Sequence, residues 1–221
     1  MPIQAFVFDA YGTLFDVHAA IARHRAAAGP DADRLSELWR TKQLEYTWTL
    51  TLMGRYEPFW RLTERALDFA LARFPGVDPS LRPKLMDAYR ELGVFPDARE
   101  ALTALKAKGH PTAILSNGSP DMLAAAVEAA GIGPLLDHVL SVDAIGVYKP
   151  RREVYALATK ALALPPGAIG FVSSNRWDVA GATAAGMTAI WINRGGAPIE
   201  YGDFAPAATL KSLAELVRLS L

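Results

Sequence analysis

Ile3-Gln4-Ala5-Phe6-Val7-Phe8-Asp9-Ala10-Tyr11-Gly12-Thr13 opens the chain and sets its architecture. Ile3 to Phe8 is apolar apart from Gln4, which predicts a strand buried on both faces, as in a parallel sheet covered by helices. The apolar run stops at Asp9 and a glycine follows, so the strand ends in a turn that carries a carboxylate. Working outward, Thr112 to Leu115, Ile169 to Val172 and Thr188 to Ile192 repeat the pattern, with His138 to Val142 as a shorter strand. Between them Ala98 to Lys108, Pro120 to Ala130, Arg152 to Leu162 and Asp178 to Ala185 have helical period and suit crossover helices. Leu210 to Leu221 reads as a closing helix. This alternation is that of an α/β fold, an open, doubly wound parallel sheet.

One region interrupts it. From about Phe15 to Gly93 no strand pattern occurs, and Asp33 to Met53 and Glu57 to Phe74 are the most periodic helical stretches. Gly29-Pro30, Gly54 and Phe74-Pro75-Gly76 punctuate them as turns. A helical block of this length is too long for one crossover. The chain therefore divides into a core formed by residues 1–14 and 94–221 and an inserted helical cap at 15–93.

Composition narrows the function. The 221 residues are 51% hydrophobic and 21% charged, ordinary for one globular domain carrying an insertion. Lys plus Arg and Asp plus Glu each number 23, so no net charge favours nucleic acid or an anionic membrane as partner. The chain has 0 cysteines, which excludes disulfides, cysteine-ligated metals and thiol nucleophiles. No basic leader followed by an apolar stretch and no run of about 18 apolar residues occurs. A cytoplasmic location is expected. The histidines, His18, His24, His110 and His138, lack metal-ligand spacing, and no G-x-S-x-G elbow is present.

In an open parallel sheet ligands sit at the carboxyl ends of the strands. Asp9 ends the first strand, Ser116-Asn117 the second and Ser173-Ser174-Asn175 the fourth, while Lys149 lies in a loop before a helix. Each has an unremarkable reading: a turn or helix cap for Asp9 and Ser116, a solvated side chain for Lys149. Those readings would have to coincide at every strand end. The joint arrangement therefore points to a site.

The segments FDAYGTL, ILSNGSP, VYKP and FVSSNRWD, in this order, resemble the haloacid dehalogenase superfamily. With LWRTKQLEYTW in the helical insert and the late WINR, the chain is most similar to the type II L-2-haloacid dehalogenases. The resemblance implies a Rossmann-like core, a cleft between core and cap, a homodimer and no cofactor. It also implies hydrolysis of short L-2-haloacids to D-2-hydroxy acids through an aspartyl ester on Asp9, releasing halide.

Residue chemistry separates that reading from the phosphatases of the superfamily. These pair the nucleophile with a second Asp two residues on, which protonates the leaving alcohol. Here Ala10 and Tyr11 follow Asp9. An alkoxide needs that proton, whereas a halide is a stable anion on departure. Ser174 likewise stands where the phosphatase pattern has a metal-binding Asp, leaving Asp9 and Asp178, a weak set for Mg²⁺. No metal is expected. A metal-dependent phosphatase or phosphonatase is the second reading and a non-catalytic binding protein of the same fold the third.

By the same resemblance, Arg40 accepts the halide, with Phe59 and Asn117 completing its cradle. Lys149 favours the ionised form of Asp9. Asp178, with Asn175 and Lys149, activates water, and Ser173 belongs to the same cluster. Ser116 and the backbone N–H groups near Ala10 and Tyr11 take the substrate carboxylate, as loop amides at a helix start suit an anion. Tyr11, Tyr155, Trp177 and Leu44 fall at substrate-binding positions, although core packing explains the last three as well. Thr13 either caps the turn after the first strand or hydrogen-bonds Asp9.

Overall fold

The computed structural model describes residues 1–219. The chain begins with β1 (Ala5–Phe8) and enters a helical stretch: α1 (Ala19–Ala22), α2 (Arg25–Ala28), α3 (Ala32–Leu52), α4 (Phe59–Arg73) and α5 (Arg82–Arg90). It then alternates through α6 (Pro96–Ala107), β2 (Thr112–Ser116), α7 (Pro120–Ala130), β3 (His138–Ser141), α8 (Arg152–Leu162), β4 (Ile169–Ser173), α9 (Arg176–Ala184), β5 (Thr188–Ile192) and β6 (Ala208–Leu210). The strands form one parallel sheet in the order β3-β2-β1-β4-β5-β6. This is the doubly wound order, and its switch point falls between β1 and β4. β1, β2 and β4 are buried throughout, which explains their unbroken apolar runs, while the edge strands β3 and β6 are partly exposed.

The cap is helical because its apolar residues recur at helical spacing. On α4, Phe59, Leu62, Thr63, Ala66, Leu67, Ala70 and Leu71 form one buried face. α4 packs against α3, where the Trp39 indole N–H donates to the Thr63 carbonyl at 2.9 Å. Burying each large side chain of this kind is worth about 1.5–3 kcal/mol. Gly54, at φ 65°, allows the turn between the two helices.

The C-terminal segment differs from expectation. Leu210 ends a sixth strand, and Leu213–Arg218 is a 3₁₀ helix in place of the closing α-helix; Ser220 and Leu221 lie outside the described residues. Leu213 and Leu216 are both buried, and side chains three apart align on a 3₁₀ turn. The Leu213 N–H donates to Asp97 at 2.8 Å, tying the segment to α6. The helix expected from Asp178 begins two positions earlier, at Arg176. No described helix is long and apolar enough to cross a membrane.

Candidate active site

The loop after β1 is shaped by backbone bonds. The Ala10 carbonyl accepts from the N–H groups of Thr13, Leu14 and Phe15 at 3.2, 2.9 and 3.0 Å, and the Gly12 N–H donates to Phe15 at 2.7 Å. Gly12 sits at φ 91°, a conformation that side chains resist. The turn leaves Asp9 at the switch point of the sheet with 5% of its surface exposed.

Asp9 is held asymmetrically. Its Oδ2 accepts from Thr13 Oγ1 at 3.0 Å, Ser173 Oγ at 3.3 Å and Asn175 Nδ2 at 2.7 Å, whereas among the described residues Oδ1 accepts only from Lys149 Nζ at 3.1 Å. The hydroxyl directions are set: Thr13 Oγ1 accepts from the Ser174 N–H at 2.8 Å and Ser173 Oγ from the Asn175 N–H at 3.1 Å, so their protons serve Asp9.

Lys149 is 1% exposed and also donates to Asp178 Oδ2 at 2.8 Å. Burial disfavours its charge, but the two carboxylates overcome this and raise its pKa, so the ammonium persists. Asp178 is fully buried, and burial pushes its carboxyl up to about 6 against the opposing pull of Lys149. Its Oδ1 accepts from the Tyr155 hydroxyl at 2.7 Å. Tyr155 therefore touches Asp178, which Lys149 joins to Asp9. Among the described residues no three His, Cys, Asp or Glu gather as a metal site, and the space between Asp9 and Asp178 holds the ammonium.

Arg40 reaches from α3 to the same loop. Its Nη2 donates at 3.2 Å to the Tyr11 carbonyl, which also accepts from Asn175 Nδ2 at 3.2 Å. Tyr11 is buried against Phe59 and Tyr89, with ring centroids 6.0 and 5.7 Å away. Ser116 Oγ accepts from the Gly118 N–H at 3.0 Å, and Asn117 Oδ1 from the Lys149 N–H at 3.1 Å. Among the described residues the N–H groups of Ala10 and Tyr11 find no acceptor. Leu44 is half-buried one helical turn beyond Arg40. Trp177 packs edge-on against Trp48 at 5.4 Å and lines an apolar cavity of about 420 Å³ with Pro150 and Tyr201. Neither Leu44 nor Trp177 hydrogen-bonds the Asp9 cluster through its side chain.

Other contributors carry no motif in the sequence. Phe171 lies under the Lys149 ammonium, 5.0 Å from Nζ to ring centroid. Gly118 lets the Tyr11 ring approach, since a Cβ there would stand 2.6 Å from its Cε2. At Gly181 a Cβ would collide with the Tyr155 hydroxyl and come within 2.6 Å of Pro150 Cβ. Tyr56 bonds Asp143 and the Tyr148 hydroxyl donates to the Glu57 carbonyl at 2.5 Å, clamping the α3–α4 turn to the loop that carries Lys149. Gln43, fully buried, contacts Arg40 and Thr63. Its position three after Arg40 on a helix was a legible signal; the others are juxtapositions of distant segments.

Comparison with known proteins agrees with this geometry. The model of the haloacid dehalogenase-like hydrolases matches residues 3–186. The chain is 51% identical to (S)-2-haloacid dehalogenase 1 of Pseudomonas sp. (strain CBS-3), over 100% of this chain and 97% of the relative. It is 39% identical to haloacetate dehalogenase H-2 of Moraxella sp. (strain B), over 98% and 97% of the two chains. It superposes on the L-2-haloacid dehalogenase of Xanthobacter autotrophicus with chloropropionic acid covalently bound, with a TM-score of 0.89, 37% identity and 98% of each chain covered. With the doubly wound core, the helical cap and the carboxylate at the switch point, these matches establish that the chain belongs to the haloacid dehalogenase-like hydrolase family.

Proposed function

We propose that this protein hydrolyses short (S)-2-haloacids to (R)-2-hydroxy acids. The observation that carries this reading is the asymmetric setting of Asp9. Oδ2 is taken by three donors, and Oδ1 keeps a lone pair beside Lys149. Oδ1 attacks C2 in line, the carbon–halogen bond breaks, and the halide leaves with the bonding pair towards Arg40, Phe59 and Asn117. The product of this step is an ester of Oδ1 with C2. The Ser116 hydroxyl and the N–H groups of Ala10 and Tyr11 hold the substrate carboxylate.

Water then attacks Cγ of the ester. Charge develops on Oδ2, where Thr13, Ser173 and Asn175 already point their donors, so the hole for this oxyanion is assembled before reaction. Asp178 takes the proton of the water. Lys149 spends two of its three N–H bonds on the carboxylates and has one left for water or substrate. C2 is attacked once and untouched afterwards, so configuration inverts once.

The alternatives fit less well. A phosphatase needs an acid where Tyr11 stands, and a metal would have to displace a buried ammonium. A binding protein has no use for three donors converging on one carboxylate oxygen. The division into core (1–14 and 94–221) and cap (15–93) is part of this reading, since Asp9 comes from one and Arg40 from the other. A homodimer in the cytoplasm goes with it, supported by the family resemblance; sedimentation of the purified chain tests the dimer. The decisive assay is halide release from each enantiomer of 2-chloropropionate in the presence of EDTA. Release from the (S) form with (R)-lactate as product is expected; release dependent on Mg²⁺, or none, overturns the reading.

The pH dependence follows from Asp178. As a base it must be ionised, and burial places its titration at about 6. Ester hydrolysis should rise with pH up to that point and then level, so the rate at pH 5 is about a tenth of the plateau. A rate flat from pH 5 to 8 in single-turnover hydrolysis would remove Asp178 as the base.

A further inference from the structure

We infer that Gln43 is a positioning residue, held by Thr63 and Tyr89, that fixes the Arg40 guanidinium for the departing halide; the inference rests on the dehalogenase reading above. Gln43 is 1% exposed and lies on α3 of the cap, with no hydrogen bond to Asp9 among the described residues. Its Oε1 accepts from Arg40 Nη1 at 2.7 Å, and its Nε2 donates to Thr63 Oγ1 at 2.7 Å and to the Tyr89 hydroxyl at 3.1 Å.

The direction of the Gln43 amide is imposed by Thr63. The Thr63 hydroxyl donates its one proton to the Phe59 carbonyl at 2.9 Å, so towards Gln43 its oxygen can only accept. The amide NH₂ must therefore face Thr63, which turns the carbonyl oxygen to Arg40. The opposite orientation would set two donors against each other at the guanidinium. Tyr89 closes the cluster, since its hydroxyl also lies 3.2 Å from Gln43 Oε1.

With Nη1 held by Gln43 and Nη2 by the Tyr11 carbonyl, both ends of the guanidinium are fixed, one by the cap and one by the core. The Tyr11 carbonyl in turn accepts from Asn175, which holds Asp9. A continuous chain of hydrogen bonds thus runs from Thr63 on α4 to the nucleophile. The partner of Arg40 inside the cap is neutral. That matters, because a carboxylate in this place would hold the guanidinium equally well while cancelling the charge offered to the halide.

The test uses Gln43→Leu, Gln43→Glu, Thr63→Val and Thr63→Ser, with kcat and KM measured for 2-chloro- and 2-bromopropionate and inhibition measured with bromide ion. Thr63→Val keeps the shape but removes the acceptor, so it serves where Gln43→Leu fails to fold. Gln43→Leu and Thr63→Val should lower kcat about 30-fold, short of the 10²–10³ seen when a transition-state donor is deleted outright. KM should change less. The chloro acid should lose more than the bromo acid, because chloride is the poorer leaving group, and bromide inhibition should weaken in parallel. Thr63→Ser should restore the wild-type values, and Gln43→Glu should lose as much as Gln43→Leu. An unchanged chloride-to-bromide ratio with unchanged bromide inhibition in the folded variants overturns the inference and leaves Gln43 a packing residue. A wild-type enzyme that releases no halide overturns the dehalogenase reading first.

Discussion

Asp9→Asn and Asp9→Ala are expected to abolish halide release, lowering the rate by at least about 10⁴-fold, the scale on which loss of an essential nucleophile is felt. The amide keeps the shape of the carboxylate, but its carbonyl oxygen and nitrogen are too weak as nucleophiles to displace halide. The fold should survive, because Lys149 retains its 2.8 Å bond to Asp178. Thermal melting monitored by circular dichroism separates loss of chemistry from loss of structure. The wild-type enzyme makes the complementary statement about which atom attacks. In a single turnover in ¹⁸O-water the product hydroxyl comes from Asp9 Oδ1 and carries no label, while the water oxygen enters the Asp9 carboxylate. Label in the product hydroxyl during that first turnover would mean that water attacks C2 directly.

Lys149→Met should combine a chemical with a structural defect. The ammonium joins Asp9 and Asp178, and all three groups are buried. Removing one partner of such a cluster costs about 3–5 kcal/mol, because carboxylates remain without compensation. Turnover at neutral pH should fall by about 10³-fold, since Oδ1 of Asp9 loses its donor and Asp178, without its cation, keeps its proton to higher pH and no longer serves as the base. The sign of the pH effect is fixed. Without Lys149 the folded-state titration of Asp178 moves further above its ordinary value of 3.8. The folded variant then holds this proton more tightly than wild type, whose Asp178 titrates at about 6, so the deficit in stability against wild type grows as pH rises above about 6 and levels above the shifted value. Melting temperatures at pH 5 and pH 8 check this: the variant should come closest to wild type at pH 5. A deficit larger at pH 5 than at pH 8 would contradict the role given to the ammonium, as would a kcat profile unmoved along the pH axis.

Much of this molecule is legible in its amino-acid order because the relevant physics is local. Ile3 to Phe8 and Ile169 to Val172 are apolar on both faces, which only a covered parallel sheet accommodates. The spacing of Phe59, Leu62, Ala66 and Ala70 can bury one face only as a helix, and the Asp9 turn requires its glycine. The same locality explains why the C-terminal segment departs from the α-helix its spacing predicts. A short apolar periodicity such as Leu213 and Leu216 fits an α- or a 3₁₀ turn equally, and the bond to Asp97, more than a hundred residues earlier in the chain, selects the latter.

What the order of residues determined by itself was the sheet, the insertion and the identity of the groups gathered at the strand ends. What the tertiary structure alone decided was how those groups are wired. It chose which oxygen of Asp9 is left for attack, because that depends on donors from Thr13, Ser173 and Asn175 meeting at one atom. It joined Asp178 to Asp9 through a buried ammonium and raised the Asp178 pKa, because desolvation is a property of the surroundings and not of the side chain. It turned the Gln43 amide towards Arg40 through a threonine on the next helix. A hydrogen bond has a direction and a distance of a few ångströms, and residues remote in the chain acquire both only once the cap has closed on the core.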